Sequence, residues 1–160
     1  MAYVTYTMYV MTSFVSSTDA RRRWADVFSR AVAGGAPVAI ERGGDEHGLL
    51  IGFDEVRLLL DRYPFTTEAF FEDGAVSLWS PELELYGRGR SFAEAQTDLV
   101  DEVRGYVEEY LGDARLYLRS PNRASHFPWI LRAYVADATG QLERVLFEPP
   151  DTATDPVAAA

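Results

Sequence analysis

The stretch 13–56, SFVSSTDARRRWADVFSRAVAGGAPVAIERGGDEHGLLIGFDEV, decides how the first half of the chain folds. Just upstream, Val4, Tyr6, Met8 and Val10 alternate with Thr5, Thr7 and Tyr9, the period of a strand over 3–15. Ser17 and Thr18 offer helix N-caps, and Asp19 is placed to oppose the helix dipole. Trp24, Val27, Phe28, Ala31 and Val32 then form the stripe of an amphipathic helix, which Gly34-Gly35 ends. Residues 38–40 and 49–51 read as short strands around a turn at Gly43-Gly44-Asp45. Residues 54–61 read as a short helix with Val56, Leu59 and Leu60 inward. The order is strand, helix, hairpin, helix. Arg62-Tyr63-Pro64 breaks the pattern, so the expected organisation is a module at 1–62, a second at 63–148 and a disordered tail at 149–160.

Within this stretch Arg21, Arg22 and Arg23 fall in the first turn of the predicted helix. A helix N-terminus is partially positive, and a cation there costs about 0.3–1 kcal/mol. Three cations at that end point to an anion that sits there. Guanidinium matches phosphate geometry, and the helix end supplies backbone donors. A second reading stays open: arginine is a good helix former, and Arg22, Asp26 and Arg30 are spaced as an i,i+4 ladder.

Beyond the boundary, 66–72 suggests a short helix, and 75–79 and 83–86 two strands around Ser80-Pro81. Ser91-Phe92-Ala93-Glu94 is a capping box, with Ser at the N-cap and Glu at N3. The helix it opens places Phe92, Ala95, Leu99, Val103, Tyr106 and Tyr110 on one stripe and closes at Gly112. A strand is expected at 115–118, a helix from Ser120-Pro121 onward with Trp129, Ile130, Ala133 and Tyr134 apolar, and a last strand at 142–147 after Gly140.

The composition narrows the function. At 160 residues and 48% hydrophobic, the chain can build a core. It has no cysteine, so disulfides and thiolate zinc sites are excluded. No charged segment precedes Arg21 to serve a secretory signal, and no apolar run reaches the ~20 residues of a membrane span, so a cytoplasmic location and no membrane partner are expected. Every basic residue is arginine. Residues 1–62 hold seven Arg against eight Asp/Glu, whereas 63–148 hold eight against fifteen. The acidic second half is unsuited to phosphate contact and suited to a basic partner; an acidic surface also keeps a protein soluble.

Three motifs of the first half resemble the Phd/YefM family of antitoxin modules over about residues 11–62. They are Thr18-Asp19-Ala20-Arg21, Ala36-Pro37-Val38-Ala39-Ile40-Glu41-Arg42, and Gly48 to Gly52 followed by Phe53-Asp54-Glu55-Val56. The resemblance implies a homodimer that faces operator DNA with the matching arginines, Arg21 and Arg42, while Thr18, Arg22 and Arg23 lend support. Dimerisation would set two basic helix starts on one face, as operator half-sites require. The sequence departs from the family at Asp45-Glu46, where acidic residues in the turn would repel phosphate, and at Glu41.

In the second half, Val76-Ser77-Leu78-Trp79-Ser80-Pro81-Glu82-Leu83, then Gly87, Gly89 and Ser91-Phe92-Ala93-Glu94-Ala95, is similar to the HicB antitoxin pattern. The alternative is an unrelated α/β packing. Tyr117, Leu118, Arg119 and Asn122, with Ser120 and Pro121, are similar to a segment by which YefM antitoxins begin gripping their toxin, although Ser-Pro also starts many helices.

The fold class expected is therefore α+β: a Phd-like module followed by a small, acidic α/β module similar to HicB. The function expected is that of a type II antitoxin, which neutralises a basic RelE-like ribonuclease toxin by direct binding and represses its own operon. A stand-alone interaction module without DNA binding is the alternative, supported by Asp45-Glu46. A small acidic enzyme is the third reading. The two histidines, His47 and His126, and the carboxylates of the 92–112 helix give it no catalytic or metal constellation, and no cofactor motif is present.

Overall fold

A serine hydroxyl sets where the first helix begins. The computed structural model describes residues 14–148, so most of the strand expected at 3–15 and the tail at 149–160 lie outside the described residues. Strand β1 (Val15–Ser16) runs into helix α1 (Ser17–Arg22), and Ser16 is the N-cap, its Oγ accepting from the Asp19 N–H at 3.1 Å. The expected single helix is in fact two. Arg23 leaves helical geometry, at φ −119° and ψ 38°, and α2 (Trp24–Val32) starts after it. β2 (Val38–Arg42) pairs parallel with β1, Val15 opposite Ile40, and antiparallel with β3 (Glu46–Leu50), Arg42 opposite Glu46. Parallel neighbours need a crossover, which α1 and α2 provide. Helix α3 (Phe53–Leu60) follows.

Among the described residues, the buried cluster of this first unit is Val27, Ala31 and Val38, with Val15, Ile40 and Leu50 partly covered. The stripe expected to face inward divides in two. Val27 and Ala31 are buried, whereas Trp24, Phe28 and Val32 stay exposed along the adjacent line of α2. Contacts divide the chain after Leu58.

The second unit holds its own sheet, in the order β4 (Glu68–Glu72), β5 (Ala75–Ser80), β6 (Leu85–Gly89), antiparallel throughout. Val76, Leu78 and Ser80 alternate into the core. The long helix α4 (Phe92–Gly112) lies against β6 and buries Ala95, Leu99, Val100, Val103, Val107 and Tyr110. Each large side chain fully buried there contributes about 1.5–3 kcal/mol. Ser91 caps the helix as read, the Glu94 N–H donating to its Oγ at 3.2 Å, but the Glu94 carboxylate reaches past the N-cap residue and accepts from the Arg90 N–H at 2.8 Å. Helices α5 (Ala114–Arg119), α6 (Phe127–Ala138) and α7 (Leu142–Phe147) complete the unit, with a 3-10 turn at Ala124–His126 before α6. The Pro-Glu-Leu stretch anchors a corner. Glu82 accepts from Ser80 Oγ at 3.2 Å and from the Thr66 N–H at 2.9 Å, and Leu83 is fully buried.

Four expectations in this half are corrected. Residues 68–72 form a strand instead of a helix, because Asp73 and Gly74, at φ 47° and 75°, make the tight turn that returns the chain from β4 into β5. Residues 115–118 are helical. Asp113 caps α5 through the Leu116 N–H, and the Tyr117 ring turns back onto Tyr110. Residues 142–147 are helical too, since Leu142 and Leu146 enter the core one turn apart. The helix expected from Ser120-Pro121 starts later, at Phe127, with Pro128 in its first turn.

Candidate functional site

Two side-chain constellations stand out, one in each unit. In the first unit, Ser17, Ala20, Arg21 and Trp24 from the two helices meet Ile40 and Arg42 of β2 around an open groove of about 590 Å³. The pairing of β1 beside β2 is what brings residues so distant in sequence to one place. Arg21 and Arg42 are exposed, and Trp24, half exposed at 52%, packs on Phe28 with ring centroids 5.9 Å apart. Two arginines and a serine thus line the groove, residue types suited to a phosphate backbone. Arg42 already has a weak partner, Glu46 across the hairpin at 3.4 Å, with both side chains in solvent.

The dipole argument for the arginine cluster does not survive. Because Ser16 caps the helix and α1 ends at Arg22, Arg21 and Arg22 sit in its last turn, where cations are favoured. Arg23 occupies the junction between helices. Among the described residues, no ion pair joins Arg22 to Asp26 or Asp26 to Arg30. Thr18, Arg22 and Arg23 are exposed and outside the lining of the groove, where Ser17 stands instead.

In the second unit, Arg123 Nη1 donates to Tyr106 Oη at 3.4 Å, and Tyr106 Oη lies 2.9 Å from His126 Nδ1. Arg123 also faces Glu84 at 3.8 Å, and its carbonyl accepts from Tyr110 Oη at 3.1 Å. The Tyr117 hydroxyl donates to Glu109, and its ring lies 4.7 Å from that of Tyr110. His126 is buried. Sequence reasoning did not find this network. Its members come from α4, α5, the turn after α5 and the loop before β6; Tyr106, Tyr110, Tyr117 and His126 were each in view, but for other roles and not as one cluster.

A protein-family model described as antitoxin of toxin–antitoxin, RelE / RelB, TA system (PHD_like), matches residues 11–147. The chain belongs to this antitoxin family. A crystal structure from Syntrophomonas wolfei subsp. wolfei, of a chain described as an antitoxin part of a candidate toxin/antitoxin system, is similar to it. The TM-score is 0.70 at 21% identity, over 84% of this chain and 96% of that one, a likeness of fold. No curated protein matches the chain.

The antitoxin's four residues singled out for toxin contact fall on one segment. Tyr117 is held by Glu109 and the tyrosine rings, whereas Leu118, Arg119 and Asn122 are exposed beside it. No group of three or more His, Asp or Glu among the described residues is placed to hold a metal ion. No helix among them is long and apolar enough to cross a membrane.

The buried His126 is expected to make the antitoxin's second unit sensitive to acid. Burial raises the Tyr106 phenol above its ordinary range, and its hydroxyl shares a 2.9 Å hydrogen bond with His126 Nδ1. Burial first, and then the Arg123 guanidinium, lowers the imidazole below its ordinary value of 6.5, against a smaller upward pull from Glu84. The unfolded chain therefore binds this proton more readily than the folded one. Stability from this group is complete above 6.5 and declines as pH falls toward the lowered folded value. Urea midpoints across that window are expected to drop for the wild-type protein and to flatten for His126→Gln. Equal slopes would remove His126 from the account.

Proposed function

We propose that this antitoxin is of type II: it neutralises a cognate toxin protein by binding it directly and, as a homodimer, binds operator DNA to repress its own operon. The observation that carries the reading is the groove in which Arg21 and Arg42, from separate elements, converge beside Ser17 and Trp24. The first unit is read as a Phd/YefM-like module. Phe28 and Val32, exposed on α2 and outside the lining of the groove, support a dimer interface there. The second unit, read as HicB-like, carries the acidic excess that suits a basic, RelE-like ribonuclease toxin. Tyr117, Leu118, Arg119 and Asn122 are assigned to the toxin contact, and the complex is assigned to the cytoplasm. The reading is of a binding protein and not an enzyme. Antitoxin in excess keeps the toxin occupied by mass action.

Co-expression with the product of the adjacent gene, followed by purification through the antitoxin, tests this. A stoichiometric complex with a small basic protein whose toxicity is relieved is the expected result. No complex, together with no shift of the upstream DNA at low salt, refutes it. The Arg42–Glu46 pair favours a second reading, an interaction protein that has lost operator binding. Complex formation without any DNA shift would select it.

A further inference from the structure

Strand β4 is the least protected element of the second unit. Among the described residues it pairs with β5 on one side and is an edge of the sheet on the other. All five of its residues are exposed, including Phe70 at 48% and Phe71 at 69%. An edge of this kind, with a row of backbone donors and acceptors, is a template for another strand unless something blocks it. The register places Glu68, Phe70 and Glu72 on the sheet face shared with Trp79, Ser77 and Ala75, while Val76, Leu78 and Ser80 turn to the α4 core. On that outer face Trp79 stacks on Tyr86 at 4.2 Å, and the Arg88 guanidinium lies 5.9 Å from the Tyr86 ring. Tryptophan, tyrosine and arginine held in place are what the centres of protein interfaces use.

The charges on β4 decide what fits. If a second copy paired antiparallel around Phe70, Glu68 of each copy would oppose Glu72 of the other, and like charges directly opposite destabilise a sheet. The same carboxylates favour a strand that brings cations to those two positions. We propose that β4 is the acceptor edge for a strand of a basic partner protein, one that carries a cation–x–apolar–x–cation pattern opposite Glu68, Phe70 and Glu72. This rests on the toxin-binding reading for the partner's identity, but the edge itself can be tested without a toxin. Main-chain hydrogen bonds along β4 supply the affinity, and the alternating side chains supply the specificity.

The test uses the full chain, labelled with nitrogen-15, titrated with the synthetic peptide Thr-Arg-Thr-Ile-Thr-Arg-Thr and with its glutamate counterpart. The arginine peptide is expected to shift amides centred on 68–72 and to slow their exchange. A version N-methylated at alternate backbone nitrogens is expected not to bind. The double substitution Glu68→Lys, Glu72→Lys, on exposed side chains, is expected to weaken the arginine peptide about tenfold and to reverse the preference toward the glutamate peptide. Shifts centred elsewhere, equal binding of the N-methylated peptide, no response to the charge reversal, or self-pairing of the unliganded protein through β4 would each overturn the proposal. A co-expressed toxin that still binds the double variant as tightly as wild type would also overturn it and leave toxin neutralisation standing. Peptide binding at β4 without any co-purifying toxin would support the edge and refute the partner's identity.

Discussion

Gly87→Ala is expected to destabilise the second unit by about 3 kcal/mol or more, a large share of the ~5–15 kcal/mol that holds a domain folded. At Gly87, β6 and α4 touch backbone to backbone. A methyl group there would lie 2.4 Å from the Ala95 carbonyl oxygen, 2.4 Å from the Leu99 nitrogen and 2.5 Å from Leu99 Cβ. None of these is the loose end of a flexible side chain, so the helix itself has to move. That movement lifts Leu99 and Val103 from Leu78, all of them fully buried. Hydrogen exchange of the α4 amides reads the loss. In Gly105→Ala, on the same helix with nothing within 4 Å of the added carbon, those amides are expected to slow instead, by the ~1 kcal/mol of helix propensity. A Gly87→Ala protein whose α4 amides exchange as in wild type would refute the packing argument.

On the proposed operator-binding reading, replacing either groove arginine is expected to weaken DNA binding by ~1–3 kcal/mol, roughly ten- to a hundredfold, with folding intact. Arg21 and Arg42 are exposed and contribute nothing to a core, so circular dichroism and thermal unfolding should match wild type. Each arginine that neutralises a phosphate releases counterions, and its loss lowers the slope of log affinity against log salt by about one per contact, hence about two in a dimer. Glu46→Gln is expected to act in the opposite direction. It frees Arg42 from a solvent-exposed pair worth at most about 1 kcal/mol and removes a carboxylate from beside the proposed phosphate contact. A salt slope unchanged in both arginine variants would remove the groove from the DNA interface.

How far the fold could be read depended on whether a signal was local. The Ser91 cap acts within one helical turn, and α4 forms where it was expected. Pro37 to Arg42 and Gly43-Gly44 likewise gave a hairpin near its observed place. The strand β4 had a local signal too, Asp73-Gly74, but the apolar pair Phe70 and Phe71 reads equally well as a turn of helix. The candidate groove was legible only in part. The two arginines were named because their motifs resemble those of known antitoxins; Ser17 and Trp24 were not, because nothing in a linear pattern says which neighbours line a groove. The arginine cluster was misplaced on its helix because a break at Arg23 follows from no local residue preference.

The amino-acid sequence by itself determined the Ser91 cap, the Gly43-Gly44 turn, the long helix and the partition of charge between a near-neutral first half and an acidic second. These depend on interactions within a few residues, or on composition alone. Only the tertiary structure decided that Trp24 and Phe28 face solvent while Val27 and Ala31 are buried, that 115–118 and 142–147 are helical, and that Arg21 meets Arg42. Helix propensities among ordinary residues differ by less than about 0.7 kcal/mol each, whereas burying one large apolar side chain is worth ~1.5–3 kcal/mol. In short apolar segments the partner surface therefore outweighs local preference, and that surface exists only once the chain has folded.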